Sequence, residues 1–146
     1  MKWAYGVTTV PERIGTLLPQ TLASLAAAGF DRPVLFVDGQ ITGYGDHGVV
    51  CHPRVGQMRN WMHAIFYLFT TIDADRYAIF EDDVQACRQL REYLERCPAG
   101  KVYWNLITLD ENRAVWCSTV PPSIVCYGWS GSCEAQVMVR RCPMPS

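Results

Sequence analysis

Tyr77-Ala78-Ile79-Phe80-Glu81-Asp82-Asp83-Val84 is the stretch on which the fold turns. Four residues suited to a strand buried on both faces run directly into three consecutive carboxylates. A helical pattern follows over 85–96, with Cys87, Leu90 and Leu94 at inward positions and Arg88, Arg91, Glu92 and Glu95 outward. In open α/β sheets ligands collect beyond the carboxyl ends of the strands, where helix N-termini add positive dipole. Three adjacent acids at such a place repel one another unless a hard divalent cation neutralises them. The triplet is therefore expected to be a metal-binding motif. Its plainer readings are a solvated turn, or an N-terminal cap for the helix after it.

Working back from that strand, Val34-Leu35-Phe36-Val37 reads as another buried strand ending in Asp38-Gly39, and residues 3–10 as a first strand. Between these two a helix is expected over 17–28. Thr16 would be its N-cap, Pro19 falls in the tolerant first turn, and Gly29 is the stop. Strand, helix and strand in this order make a right-handed parallel crossover. A glycine-rich loop follows over 41–48, then a short strand at Val49-Val50-Cys51. A second helix is expected over 56–71, with Met58, Met62, Ile65 and Phe69 at helical spacing. Downstream of the acidic motif a strand is expected over 102–109, a turn at Asp110-Glu111-Asn112 and a last short strand over 135–139. The rest beyond Val115, including 121–123 and 128–131, reads as loop. The fold class is a single α/β domain with a mostly parallel central sheet and flanking helices.

Composition bounds the function. With 49% apolar and 18% charged residues and a formal charge of −1, the chain carries no electrostatic footprint for nucleic acid. No apolar run is long enough to span a membrane, and no signal-peptide core precedes Glu12 and Arg13. The seven cysteines include no C-x-x-C pair, which fits reduced thiols and a cytoplasmic protein.

If the strands are parallel, Thr8-Thr9-Val10-Pro11-Glu12-Arg13, Asp38 and the acidic triplet open onto one edge. Asp38 is read either as an acceptor for a ribose or base, or as a turn aspartate before glycine. Arg59 and Asn60 are read as phosphate or sugar contacts, or as an exposed first helical turn. His47, His52 and His63 have no acid–nucleophile company and read as structural or exposed. Asp73-Ala74-Asp75 precedes its strand, at the wrong edge for a ligand, and reads as turn chemistry.

This ordered set resembles the GT-A-fold glycosyltransferases, Rossmann-like nucleotide-diphospho-sugar transferases of a family-2-like arrangement. The residues that carry the likeness are Thr8 to Arg13, the Leu22-x-x-Leu25 helix closing at Gly29-Phe30, Val37-Asp38-Gly39, Arg59-Asn60 and Glu81-Asp82-Asp83. The resemblance covers residues 3–109 and implies a nucleotide-sugar-binding part. It implies that Thr8, Thr9, Pro11, Glu12, Arg13, Asp38, Arg59, Asn60, Glu81 and Asp82 line the donor site. It also implies Asp83, with Asp82, as the metal ligands for Mn²⁺ or Mg²⁺. The activity implied is hexosyl transfer to an unknown acceptor. Residues 110–146 correspond to a remnant of the acceptor-side part, truncated relative to the family, with Glu134 as the implied base. The rival readings are a remnant that binds nucleotide or metal without turnover, and a plain α/β interaction module.

Overall fold

The computed structural model describes residues 1–96, together with the backbone of short strands at 103–105, 127–128 and 135–139. In chain order the elements begin with β1 (Trp3–Thr9), a 3-10 turn (Pro11–Arg13), α1 (Leu18–Ala27), β2 (Val34–Asp38) and β3 (Val49–His52). They continue with α2 (Gln57–Thr71), β4 (Arg76–Glu81), β5 (Val84–Gln85) and α3 (Leu90–Arg96). The strands β6 (Tyr103–Asn105), β7 (Tyr127–Gly128) and β8 (Ala135–Val139) follow.

A six-stranded sheet has the order β3-β2-β1-β4-β8-β6. Its first four strands are mutually parallel, whereas β8 runs antiparallel to both β4 and β6. Strands β5 and β7 form a separate antiparallel pair. The chain steps from β1 to β2 to β3 in one direction, then α2 carries it back across the sheet to β4 on the other side of β1. Right-handed crossovers made in opposite directions put α1 and α2 on opposite faces. The order of strands therefore reverses between β1 and β4, which is a topological switch point.

Alternation along the strands builds two cores. Trp3, Val7, Leu35, Val37, Ala78 and Phe80 face α1 and α3, where Leu18, Leu25, Leu90 and Leu94 are buried. Ala4, Phe36, Tyr77 and Ile79 face the other way, onto Ala64 and Leu68 of α2. Helix α1 ends as a Schellman motif. The N–H of Phe30 donates to the Leu25 carbonyl at 2.8 Å and that of Gly29 to Ala26 at 3.1 Å, with Gly29 at φ +93°. That turn throws Phe30 into the core, where its ring meets Trp3, Tyr5 and Phe80 edge-on at 5.1–5.4 Å. Buried Arg76 donates to the Leu94 carbonyl in the last turn of α3, which accounts for a cation in the core.

Four expectations need correction. Thr16 does not cap α1: its hydroxyl donates to the Arg13 carbonyl, and Leu17 is the capping residue without a side-chain bond. In α2 the buried stripe is Asn60, Ala64 and Leu68; of the expected positions Ile65 and Phe69 pack against that core, while Met58 and Met62 are exposed. That helix is apolar on most sides, so periodicity does not choose a face. Small Ala64 is what allows close approach to the sheet. The third helix starts at Leu90 rather than 85, because Asp82 and Asp83 form a turn into β5. Finally, Tyr127–Gly128 is a short strand paired with β5 where a loop was expected. The expected strand over 135–139 is β8, and of the strand expected over 102–109 residues 103–105 are β6. The expected turn at 110–112 and the segment 121–123 lie outside the described residues.

Gly6 exposes a constraint of the β1–β2 pairing. A Cβ there would lie 2.4 Å from the Phe36 ring and 2.9 Å from the Val34 carbonyl oxygen. Both neighbours belong to β2, and Phe36 is fully buried. Gly6→Ala is expected to cost roughly 1–3 kcal/mol through overpacking. Its urea midpoint should fall with an unchanged m-value; an unchanged midpoint would contradict the packing described.

Candidate functional site

The carboxyl ends of the four parallel strands gather the polar residues of this protein on one edge. The register pairs Thr8 with Glu81, Thr9 with Val37 and Asp38 with His52, so Thr9, Asp38, His52 and Glu81 come out side by side. The loops beyond them interlock. Pro11, which opens the 3-10 turn after β1, lies against Gly39 after β2, where a Cβ would approach the Pro11 ring to 2.6 Å. Exposed Glu12 pairs with Arg54 from the loop between β3 and α2.

At the centre is Asp82, whose side chain is 3% exposed. Its two oxygens are both engaged: the Thr9 hydroxyl donates to Oδ2 at 2.5 Å and Arg13 Nη1 to Oδ1 at 2.7 Å. The Asp82 carbonyl accepts from the buried Thr21 hydroxyl of α1 at 2.7 Å. A buried carboxylate needs such compensation, since desolvating an unpaired charge is expensive. The same contact raises the Arg13 guanidinium above its ordinary value.

Asp83 is different. Its Oδ2 lies 3.5 Å from Arg13 Nη1, at the limit of a hydrogen bond, and its Oδ1 is buried with no hydrogen-bond partner. Burial, and next the negative charge of Asp82, push the Asp83 carboxyl above the ordinary aspartate value, with Arg13 opposing them. An orphaned carboxylate oxygen beside a second carboxylate stands ready for a proton or a cation. Glu81, the third acid, accepts from Gln57 Nε2 at 2.7 Å.

The remaining residues singled out in the sequence divide between two roles. Thr8 is buried, and its hydroxyl donates to the Phe80 carbonyl at 3.3 Å. Asp38 is buried too and accepts from the N–H groups of Val55 and Gly56 at 2.7 and 3.0 Å, anchoring the start of α2. Asn60 is held between strands: its Nδ2 donates to the carbonyls of Phe36 at 3.0 Å and Thr9 at 3.5 Å. Its Oδ1 faces His52 Nε2 at 2.9 Å. Asp38 and Asn60 thus fasten α2 to the sheet edge, while Arg59 is exposed. Asp75 accepts from the Lys2 N–H at the opposite end of the sheet. Glu134, Asp110 and Glu111 lie outside the described residues.

Thr21, Ser24, Arg54 and Gln57 support this edge without having been singled out in the sequence. Ser24 Oγ accepts from the Ala86 N–H at 3.1 Å, so α1 holds the acidic turn at two points. The available signal was a polar residue, Thr21, on the same helical stripe as Leu18 and Leu25.

Among the described residues no three His, Cys, Asp or Glu side chains are assembled as a metal cage. The donor set still fits a cation that takes one carboxylate from the protein and the rest of its shell from water and phosphate, as Mg²⁺ commonly does. Asp83, with its orphaned oxygen, is the residue available for that. Asp82 is already committed to Thr9 and Arg13. Among the described residues no helix is long and apolar enough to cross a membrane. Compared with known protein families and with curated proteins, the chain matches none.

The two aspartates should respond oppositely to amide substitution. Asp82→Asn turns an NH₂ group toward one of two donors, and should cost about 2–3 kcal/mol in urea unfolding. Asp83→Asn removes a poorly compensated charge and should be neutral or slightly stabilising, within about 1 kcal/mol. Equal losses in both would contradict the assignment of roles.

The raised Asp83 value also fixes a pH dependence. The folded state holds this proton more firmly than the unfolded chain does. The associated stability is therefore present below the ordinary aspartate value and is lost as pH rises through the folded value. In chelator, the stability of the parent relative to Asp83→Asn should fall as pH is raised from about 3 toward 7. A flat or rising difference would contradict it.

Proposed function

We propose that this protein is a metal-dependent glycosyltransferase of GT-A type. In this reading it moves a hexosyl group from a nucleotide-diphosphate donor to an acceptor hydroxyl, in the cytoplasm. The observation that carries the reading is Asp83: a carboxylate with an orphaned buried oxygen, in a turn at the switch point of a largely parallel sheet. The order of the sequence motifs supports it as well.

Asp83, assisted electrostatically by Asp82, would hold Mn²⁺ or Mg²⁺. Bound there, the cation supplies Lewis-acid stabilisation of the charge that accumulates on the leaving nucleoside diphosphate. Thr9, Pro11, Glu12 and Arg13 form the rim on the β1 side. Glu81, Arg59 and the α2 start form it on the other. Thr8, Asp38 and Asn60 act mainly by keeping these walls in register, since their polar atoms are used internally. The acceptor-side base falls to the 110–146 segment, with Glu134 as the candidate from resemblance.

Isothermal titration with UDP tests the shared core of the reading. Binding should require Mn²⁺, and Asp83→Ala should weaken it by about tenfold or more. A variant indistinguishable from the parent, or no metal-dependent binding of any nucleoside diphosphate, would leave a plain α/β interaction module. Release of sugar from a panel of donors then separates a transferase from a remnant that binds without turnover.

A further inference from the structure

Arg13 is placed as an internal rival for the cation. It reaches in from the 3-10 turn rather than from the sheet, and its side chain is 45% exposed. Its two ion-pair contacts are unequal. Nη1 is 2.7 Å from Asp82 Oδ1, a buried carboxylate that also accepts from Thr9, but 3.5 Å from Asp83 Oδ2. The strong contact anchors the guanidinium, and the weak one spreads its charge over the carboxylate whose other oxygen has no partner.

From this geometry we infer that Arg13 is a built-in counter-ion. It stands 3.5 Å from Asp83 Oδ2, beside the unpartnered Oδ1, and releases Asp83, while keeping Asp82, when a divalent ion binds that carboxylate. The inference rests on the metal reading above. Its physical basis is competition: a guanidinium and a divalent ion repel each other and draw on the same carboxylate charge. No bond is made or broken; one cation replaces another at Asp83. The exchange has a consequence for the order of binding. A cation that arrives with a diphosphate brings an anion to which the displaced guanidinium can turn, so cation and donor should bind together better than the cation alone.

The test is binding of Mn²⁺ without nucleotide, followed by the paramagnetic resonance signal of the free ion. Arg13→Gln should bind Mn²⁺ about tenfold more tightly than the parent. Arg54→Gln, which removes a charge from the same rim without touching Asp83, should change affinity by less than about twofold. Adding Asp83→Asn to Arg13→Gln should abolish the gain. An unchanged or weaker affinity in Arg13→Gln overturns the inference while leaving the metal reading intact, as does an equal gain in Arg54→Gln. Absence of Mn²⁺ binding in the parent and all variants overturns the metal reading and this inference together.

Circular dichroism establishes that each variant is folded. If Arg13→Gln is not, Arg13→Lys decides. A lysine keeps a charge beside Asp82 but lacks the planar guanidinium that holds Nη1 between Asp82 and Asp83, and should tighten Mn²⁺ binding by about threefold. No gain in the folded lysine variant also overturns the inference.

Discussion

A buried carboxylate has to be answered from more than one side. Thr9 at the end of β1 and Arg13 in the 3-10 turn bond the two oxygens of the Asp82 carboxylate, and Thr21 in α1 bonds its backbone carbonyl, so three elements hold this residue. Each bond spans 61 or more residues of sequence. Together they fix where the chain leaves β4, and so where Asp83 points. The acidic triplet is not three equivalent ligands: Asp82 is a strut, Glu81 is tied to Gln57, and Asp83 is left with a free oxygen.

The position of that oxygen follows from topology. Strand order reverses between β1 and β4, the place where open α/β sheets bind ligands, and there Thr9 and Arg13 tie the end of β1 and the turn after it to Asp82. The neighbouring segments are braced in turn. Asp38 and Asn60 spend their hydrogen bonds on the start of α2 and on strand carbonyls, and the Pro11–Gly39 contact packs the β1 and β2 loops together.

Much of this arrangement could be read before any coordinates. Buried strands announced themselves as short β-branched and aromatic runs, and Gly29 marked the end of α1 because only a left-handed residue closes a Schellman turn there. Placing Thr9, Asp38 and the triplet on one edge needed only the parallel crossover rule. Three features were not legible. Helix α2 is apolar on too many sides for its spacing to reveal that Asn60 and Ala64 face the sheet. The segment after Asp83 has a helical pattern yet turns into β5, since Val84 is drawn into the core and Ala86 is held by Ser24. Nor does a sequence say which acid of three will be neutralised by an arginine 69 residues away.

The proposed function requires that a cation and a diphosphate meet at Asp83. Crystals soaked with Mn²⁺ and a nucleoside diphosphate, with data collected at the manganese absorption edge, measure this directly. The predicted result is an anomalous peak in contact with the Asp83 carboxylate, beyond the carboxyl ends of β1 and β4, with the diphosphate on its far side. A peak elsewhere, or nucleotide bound at the opposite end of the sheet near Asp75, would contradict it.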